Sequence, residues 1–266
     1  MKRNLLSLSD ELEFTNIECF KALYGCKSLK LKGAWLLLND TLPETFCNLA
    51  VAIRTTQRDA PHLLSLVDKY FEGKPTKVAF QVTPATTPKN FAELLFAYGF
   101  KKAYSESWMV HNKKITHPRV KEVEMIKVQT AAQMRKFIEL FNSFGGNLPK
   151  SKRMNKFYEG VLWNSFKKRQ SQIEVRHYLA ILNQKPVGFG SLVVAKNYIS
   201  IYNIGVLKQV RNRGIGKVLV NKLITDAKKL KGKGIFLQTT AGSLAQKFFK
   251  KMGFDIRFTA DVFEKA

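Results

Sequence analysis

Residues 204–217 read Ile-Gly-Val-Leu-Lys-Gln-Val-Arg-Asn-Arg-Gly-Ile-Gly-Lys, and they are the most informative part of the chain. The pattern predicts an apolar strand that ends at Val206, a short basic loop, and an amphipathic helix opened by two glycines. Gly214 and Gly216 would let a ligand approach the backbone without a Cβ in the way. Free amides at a helix start, with the positive end of the helix dipole behind them, bind phosphate oxygens well. The stretch therefore predicts a pyrophosphate site and a nucleotide-like cofactor.

Two other phosphate-binding loops do not fit these residues. A Walker loop needs a glycine five positions before Gly216 and a Ser or Thr after the lysine, where Arg211 and Val218 stand. A dinucleotide fingerprint needs a further glycine or alanine, where Leu219 stands, and an acidic residue about twenty positions on, where residues 228–233 are basic. A plain strand-to-helix turn with incidental glycines stays an alternative.

The residues after the loop predict a helix and then a strand. Apolar side chains recur there at helical spacing: Ile215, Val218, Leu219, Leu223, Ile224, Ala227 and Leu230. Lysines in the last turn suit the negative end of the helix dipole, and Gly232 and Gly234 can stop the helix. A strand is predicted at 234–240, which completes a strand–loop–helix–strand unit.

The pattern Val206, Arg211, Gly214, Gly216 and Leu219 resembles the acetyl-CoA motif of the GNAT acyltransferases. The resemblance extends in order over residues 122–266. It implies the α/β (α+β) class, with a mixed, largely antiparallel central sheet flanked by helices. The elements it implies are a strand at 126–130, a helix at 131–144, antiparallel strands at 177–182, 186–195 and 198–206, and a last helix at 245–254.

The same resemblance implies acetyl-CoA as co-substrate, without a metal. In the family the fourth strand splays from the fifth, and the pantetheine arm fits the gap between them. The strand residues that would offer backbone groups to the pantetheine and thioester are Ile204, Gly205 and Val206. The loop residues that would hold the pyrophosphate are Arg211, Asn212, Arg213, Gly214, Ile215, Gly216 and Lys217. Core packing also explains Ile204 and Val206, and both roles can hold because the implied contacts are main-chain ones.

One departure from the family concerns the catalytic proton. The family's last helix often carries a tyrosine that protonates the departing thiolate, and Phe249 stands at that position. Phenylalanine has no proton to give. Either another group or water protonates the leaving thiolate, or the reaction in this protein is slow. Tyr202 is the candidate substitute, because strand alternation gives it the same side-chain parity as Ile204 and Val206. A packed or surface tyrosine is the alternative interpretation.

The first half resembles a second, eroded copy of the same unit. Residues 91–100 resemble 245–254, and a shift of 155 residues places Asp59 on Gly214 and Pro61 on Gly216. Proline removes a backbone donor, and an aspartate there would repel an anion. The first copy is therefore expected to bind acetyl-CoA poorly or not at all, and to serve as scaffold or as one wall of the acceptor site. An unrelated α/β domain is the alternative.

The predicted organisation is a degenerate GNAT-like domain at 1–112, a linker at 113–121 and an acetyl-CoA-binding GNAT domain at 122–266. At 266 residues, each of two ordinary domains is expected to bury its own core. The linker is basic and carries Pro118, as linkers often do.

The net charge of +25 is concentrated in one half of the chain. Residues 1–112 hold 14 of the 45 Lys and Arg and 11 of the 20 Asp and Glu, so nearly all the excess lies after them. One coenzyme does not need so much positive charge, and a field of this size attracts anionic partners such as RNA, an acidic protein surface or an anionic membrane. Residues 150–156 and 167–169 are densely basic, with Phe157, Tyr158 and Trp163 among them. This is compatible with base stacking, although a solvated helix face is the simpler interpretation.

The cysteines, the histidines and the hydropathy pattern limit the cellular compartment and the kinds of site expected for this chain. Three cysteines in the first half predict free thiols in a reducing compartment. The four scattered histidines predict neither a zinc site nor a His-based triad. The first ten residues make no convincing signal peptide, and no run approaches the roughly 20 apolar residues of a membrane span. A cytoplasmic location is expected, although a folded effector exported by another route would look the same.

Two functions compete at this stage. The first is an acyltransferase that moves an acetyl group from acetyl-CoA to an amine, small or protein-borne, by direct attack in a ternary complex. The second is a catalytically weak coenzyme A sensor or scaffold whose basic half docks on RNA or another polyanion. A third, weaker interpretation is a different acyl donor such as aminoacyl-tRNA, which the retained pyrophosphate loop disfavours.

Overall fold

A computed structural model describes residues 5–113, 120, 122–144, 152–167, 173–230 and 232–265, without the side chains of 5–7 and 152–155. The helices are α1 Leu5–Tyr24, α2 Ala60–Phe71, α3 Phe91–Ala97, α4 Ala131–Ser143, α5 Lys152–Lys167, α6 Ile215–Lys228 and α7 Leu244–Lys251. The strands are β1 Lys27–Leu31, β2 Ala34–Leu38, β3 Leu49–Val51, β4 Ala79–Val82, β5 Phe100–His111, β6 Val123–Lys127, β7 Glu174–Leu182, β8 Lys185–Val194, β9 Ile199–Val206, β10 Ile235–Thr240 and β11 Phe254–Lys265.

All of these strands join one sheet, in the order β1-β2-β3-β4-β11-β5-β10-β9-β8-β7-β6. Only β3 with β4 and β9 with β10 pair in parallel among the described strands. The last strand of each half is exchanged: β11 pairs with β4 and β5, and β5 pairs with β11 and β10. The fold class expected from the sequence, a mixed and largely antiparallel sheet flanked by helices, is confirmed.

Helices cover both faces of the sheet. α1, α4 and α5 lie on one face, where Phe20 of α1 shares a buried cluster with Phe137 of α4 and Leu179 of β7. α6 and α7 lie on the other face over β9 and β10, and α2 and α3 lie there over β2 to β4. The two halves share part of their core, because the cluster under α1 contains residues of both. The reason is the exchange of β5 and β11, because it joins the two halves in one continuous sheet.

The two halves repeat one order of elements. Strand, strand, strand, helix, strand, helix, strand runs from β1 to β5 and again from β7 to β11. The N-caps of α2 and α6 are Asp59 and Gly214, which are 155 residues apart as the alignment of the two halves predicts. The domain boundary at 112 stays a prediction, and most of the linker 113–121 lies outside the described residues.

The structure bears on two further expectations. None of the described helices is long and apolar enough to cross a membrane. Of the aromatic residues proposed for base stacking, Tyr158 is buried and donates to Glu44 Oε1 at 3.0 Å, so its ring is not available. Residues 150, 151, 168 and 169 of the basic runs lie outside the described residues.

Candidate functional site

The loop before α6 presents a row of unpaired amides. Gly214 caps the helix with a left-handed φ of 81°, and Asn212 is also left-handed at 64°. The amides of residues 212–216 donate no hydrogen bond within the part of the chain that the structure describes. The row ends at Lys217, whose amide donates to the Gly214 carbonyl at 3.0 Å. Five successive free donors at the positive end of a helix dipole form an anion site.

Cationic side chains surround this row of amides. Arg211 is fixed by two contacts: its Nε donates to the Val206 carbonyl at 3.0 Å, and its guanidinium lies 5.3 Å from the centroid of the Phe144 ring. Arg213 and Lys217 are exposed on either side of Gly214. The loop thus combines backbone donors with three cations, a donor set that suits the two phosphates of a diphosphate.

A gap opens in the sheet beside this loop. β9 and β10 pair in parallel only at Ile199 with Ile235 and at Ser200 with Phe236. Beyond these pairs β9 runs on to Val206 without a strand partner on that side, while β10 pairs on its other side with β5. An extended ligand chain could therefore use the free edge of β9 as a strand would.

A β-bulge reshapes β9 at the gap. The register with β8 shifts between Phe189 opposite Gly205 and Ser191 opposite Tyr202, and Asn203 has a left-handed φ of 53°. The first half holds this bulge, since Tyr24 of α1 donates to Asn203 Oδ1 at 2.9 Å. A bulge changes the direction of the following backbone groups and side chains.

The loop, the free edge of β9 and α7 enclose a cleft of about 640 Å³. It brings together every residue predicted to hold acetyl-CoA except Arg213, whose side chain is exposed beside it. Phe144, Leu244 and Phe248 also line the cleft, and the sequence did not single them out. Leu244 is 82% exposed at the first residue of α7, and this unusual exposure of a large apolar side chain becomes visible only in the fold.

Gly205 has a packing role that the sequence did not reveal. A Cβ at this position would lie 2.5 Å from Phe189 Cζ and 3.1 Å from Phe144 Cε1. The absence of a side chain therefore lets the Phe189 ring press against β9. The main-chain role predicted for Gly205 is compatible with this contact.

The parity argument for Tyr202 is wrong. Tyr202 packs toward α1, with its ring 5.8 Å from that of Phe20, whereas Ile204 and Val206 pack toward α6 on the opposite face. The physical reason is the bulge at Asn203, which inserts one residue and inverts the alternation. Tyr202 therefore does not line the cleft.

The hydroxyl of Tyr202 is buried and already bonded. It donates to Asn16 Oδ1 at 2.6 Å. Burial raises the pKa of this phenol well above its ordinary range, and the nearby Cys19 adds to the shift. Tyr202 consequently keeps its proton at neutral pH, and its catalytic role stays a prediction.

Phe249 lines the cleft, at the position where the resemblance implies a tyrosine. Among the described residues that line this cleft, no side chain carries a hydroxyl or thiol. The remaining polar side chains are those of Arg211, Asn212 and Lys217 at the phosphate loop. The cleft is thus equipped to bind an anion and an extended chain, with no acidic proton donor of its own.

The corresponding position in the first half has different chemistry. α2 starts after Asp59, with Pro61 in its first turn, and Asp59 Oδ2 lies 3.8 Å from Lys32 Nζ. The proline lacks one of the amides that Gly216 offers in α6. An anion would meet a carboxylate there instead of a glycine.

The buried thiols and histidine have structural surroundings. Cys19, Cys26 and Cys47 are free and buried. His177 is buried, with Nδ1 2.8 Å from Ser191 Oγ and Nε2 3.0 Å from Ser165 Oγ. Within the described residues no group of three metal-ligating side chains occurs.

Comparison with known proteins points to one family. The sequence profile of the Acetyltransferase (GNAT) family matches residues 137–254, which contain the phosphate loop, β9, β10 and α7. No curated protein matches the chain at a significant level.

Solved structures share the fold of the whole chain. A GCN5-related N-acetyltransferase from Kribbella flavida matches with a TM-score of 0.71 at 16% identity, over 96% of this chain and 94% of the other. A functionally unknown conserved protein from Staphylococcus epidermidis matches with a TM-score of 0.68 at 14% identity, over 92% and 97%. A tandem GNAT protein from the clavulanic acid biosynthesis pathway matches with a TM-score of 0.61 at 11% identity, over 88% and 78%. At such identities the likeness concerns the fold.

Proposed function

We propose that this protein transfers an acetyl group from acetyl-CoA to an amine acceptor, since residues 137–254 match the profile of the Acetyltransferase (GNAT) family. The observation that carries the proposal is the row of unpaired amides at 212–216, which begins the wall of a cleft beside the open edge of β9. An orphaned row of donors that faces solvent is a place for an anion. The second half would bind the coenzyme, and the first half would support it.

Each part of the cleft has a role in this proposal. The amides of residues 212–216, with Arg211, Arg213 and Lys217, hold the pyrophosphate. Backbone groups of β9 near Ile204 pair with the pantetheine amides in place of the missing strand. An amide at the bulge donates to the thioester carbonyl oxygen and stabilises the negative charge that develops on it as the amine attacks. Most of the acceleration then comes from holding amine and thioester together.

The departing thiolate needs a proton from outside the cleft. Phe249 cannot supply it, and the described cleft side chains include no hydroxyl or thiol. We propose Tyr202 as the proton donor, since it lies one residue before the bulge on the other face of β9. Water is the donor if Tyr202 does not act. Its short hydrogen bond to Asn16 at 2.6 Å must then be exchanged during turnover.

The same observation favours a second candidate function. A cleft without a proton donor suits a protein that binds acetyl-CoA tightly and turns over slowly, as a sensor or scaffold would. In that case the excess positive charge of the second half would dock the protein on RNA or another polyanion. Binding of acetyl-CoA is common to both functions, and turnover separates them.

Calorimetry with acetyl-CoA tests the shared part of the proposal. Gly214→Asp places a carboxylate among the free amides, and we expect affinity to fall at least about fivefold, because like charges this close repel by about 1 kcal/mol or more. Gly73→Asp is the matched control: its φ of 71° imposes the same backbone strain, and a side chain there meets nothing within 4 Å. Equal affinity in both variants would show that the loop does not bind the coenzyme.

Thiol release on a panel of amines then separates the two functions. Release that requires an amine supports the transferase, whereas tight binding without release on any amine supports the sensor. For the sensor, RNA affinity should fall steeply as salt rises, because each neutralised phosphate releases a counterion. A flat response to salt would remove RNA as the partner.

A further inference from the structure

A second cavity, of about 710 Å³, lies across the sheet from the coenzyme cleft. Its walls come from both halves: Glu106 on β5, Glu264 on β11, Glu44 before β3, and Tyr202 on β9. The aromatic side chains of α1 and β5 complete the walls, namely Phe20, Tyr24 and Tyr104. We call this cavity the acidic pocket.

The acidic pocket and the coenzyme cleft meet at the same gap in the sheet. Tyr202 and Gln238, on the strands β9 and β10 that flank the gap, line the pocket on the α1 face. Ile204 and Gly205, the next residues of β9 after the bulge, line the cleft on the α6 face. A group bound in the pocket therefore faces the edge of β9 at which the proposed thioester would lie.

The three carboxylates are incompletely neutralised. Glu264 accepts from Thr45 Oγ1 at 2.9 Å and has Lys77 Nζ at 3.8 Å, and Glu44 accepts from the buried Tyr158. Glu106 accepts only from Gln81 Nε2, at 2.9 Å, within the described residues. In a chain of net charge +25, this cavity is lined by three glutamates and, among the described residues, by no lysine or arginine, so it forms a local site for a cation.

A polar group in the pocket wall also lacks a partner. The side-chain nitrogen of Gln238 is buried without a hydrogen bond within the described part of the protein. Buried polar groups are normally paired, so this nitrogen is available to a hydrogen-bond acceptor on a bound ligand.

We propose that the acidic pocket is the acceptor site and that it takes an aliphatic diamine, with Glu106 holding the reacting ammonium and Glu44 and Glu264 holding the second one. This inference rests on the proposed function for the reaction itself. Glu106 lies deeper, because it also lines a small enclosed void together with Gln81 and Tyr104. The side chain of Glu264 is 21% exposed, which places it nearer the mouth. Carboxylates at two depths match a molecule with a cation at each end.

Glu106 would also remove the proton that prevents attack. Burial raises the pKa of this carboxyl to about 7, although the hydrogen bond from Gln81 opposes the shift. The titratable side chains around it are Tyr24, Glu44, Tyr104, Tyr202 and Glu264, with Lys77 beyond Glu264. A base with a pKa near neutrality is well matched to this task.

The transfer balances in atoms and charge. The ammonium first gives one proton to the Glu106 carboxylate, and the freed nitrogen lone pair forms the C–N bond with the thioester carbon. The C–S bond breaks, and the sulfur leaves with its electron pair. The thiolate takes a proton from Tyr202 or water, and the second proton that the nitrogen loses replaces it. Glu106 finally releases its proton to solvent, so that each turnover yields an amide, a free thiol and one proton.

The test compares 1,5-diaminopentane with 5-amino-1-pentanol, which has the same length but one cation, by acetyl-CoA-dependent thiol release. We expect the diamine to have a kcat/KM about tenfold higher or more, since hydrogen bonds to charged groups are the strong ones. Glu44→Gln and Glu264→Gln should reduce the preference for the diamine over the amino alcohol. Glu106→Gln should lower kcat for both and abolish the fall in activity below pH 7. The exposed Glu93→Gln is the control.

Diamine binding measured by calorimetry without acetyl-CoA separates this inference from the proposed function. Diamine binding that is weakened by Glu44→Gln and Glu264→Gln supports the diamine site. If no thiol is released in the same experiment, the transferase function is overturned and the diamine site still stands. Turnover with equal kcat/KM for the diamine and the amino alcohol overturns the diamine site and leaves the transferase standing. Glu106→Gln with an unchanged pH profile overturns the role of that residue as base.

Discussion

Replacing Glu106 by Gln should stabilise the protein in a manner that depends on pH. The Gln81 side chain donates to Glu106 Oε2, and a glutamine oxygen can accept the same bond, so the hydrogen bond survives. What changes is the cost of burying a charge. Burial raises the pKa of Glu106 from 4.5 to about 7, which means that the folded state binds the proton more tightly than the unfolded state.

The sign of the effect follows from this difference. Below pH 4.5 the carboxyl is protonated in both states, and it causes no penalty. As pH rises from 4.5 to 7 the unfolded chain ionises first, so the folded wild type loses stability relative to it, and the loss is complete above pH 7. A pKa raised from 4.5 to about 7 lowers the free energy of unfolding of the wild type by about 3 kcal/mol above pH 7. In a chain of this size that is a shift of about 6–12 °C in Tm.

Thermal unfolding of wild type and Glu106→Gln at pH 4 and pH 8 measures the effect. We expect the gain in Tm to be several degrees larger at pH 8 than at pH 4. Glu93→Gln, at an exposed position of α3, should give the same difference at both values of pH. A Glu106→Gln gain that does not change with pH would contradict this prediction, since it would mean that solvent reaches the carboxylate in the folded state.

Three further substitutions test how the coenzyme is bound and how its thiolate is protonated. Phe249→Tyr should raise kcat about tenfold or more if the missing proton limits thiolate departure, because a positioned general acid contributes a factor of this order. Tyr202→Phe removes the hydroxyl bonded to Asn16, and the proposed donor role predicts a lower kcat at unchanged KM for acetyl-CoA. Tyr24→Phe removes the hydrogen bond to Asn203, and we expect about 1 kcal/mol lower stability together with a higher KM for acetyl-CoA, since the bulge loosens.

For each of these three predictions one outcome would contradict it. Phe248→Tyr, at the neighbouring ring in the cleft, should not reproduce the gain of Phe249→Tyr. An unchanged kcat with only a lower Tm would make Tyr202 a structural residue. Tyr98→Phe, at a 47% exposed position, is the control for Tyr24→Phe, and equal kinetics in the two would exclude a role for α1 in shaping β9.

The order of elements in the second half could be predicted because its signals are local. The helix at 131–144 and the strands around 177–206 follow from periodicity and a family pattern, and the structure has them within a few residues. The exchange of β5 and β11 could not be predicted, because both strands carry the same alternation whichever neighbour they pair with. The choice between neighbours depends on packing across the whole sheet, which no single segment encodes.

The candidate site was likewise predictable only where its signals are local. The free amides at 212–216 were predictable, since two glycines open the helix there and the first amides of a helix have no partner within it. The parity of Tyr202 failed because one left-handed residue, Asn203, inverts a strand without any mark in the apolar pattern. Glu106 could have been noticed: Tyr104, Glu106 and Trp108 alternate along one strand, and a carboxylate between two inward aromatics is unusual. Glu44 and Glu264 reach it only through the fold, from positions 220 residues apart.

The exchanged strands have a consequence for how the molecule can come apart. A cut between β5 and β6 would leave each fragment with a gap that only the other fragment's final strand can fill. Two such fragments, made separately, should be insoluble or unstructured alone and regain the fold when mixed, as split proteins do. The first half can thus be indispensable whether or not it binds a ligand, because the second half depends on it for a strand of the sheet.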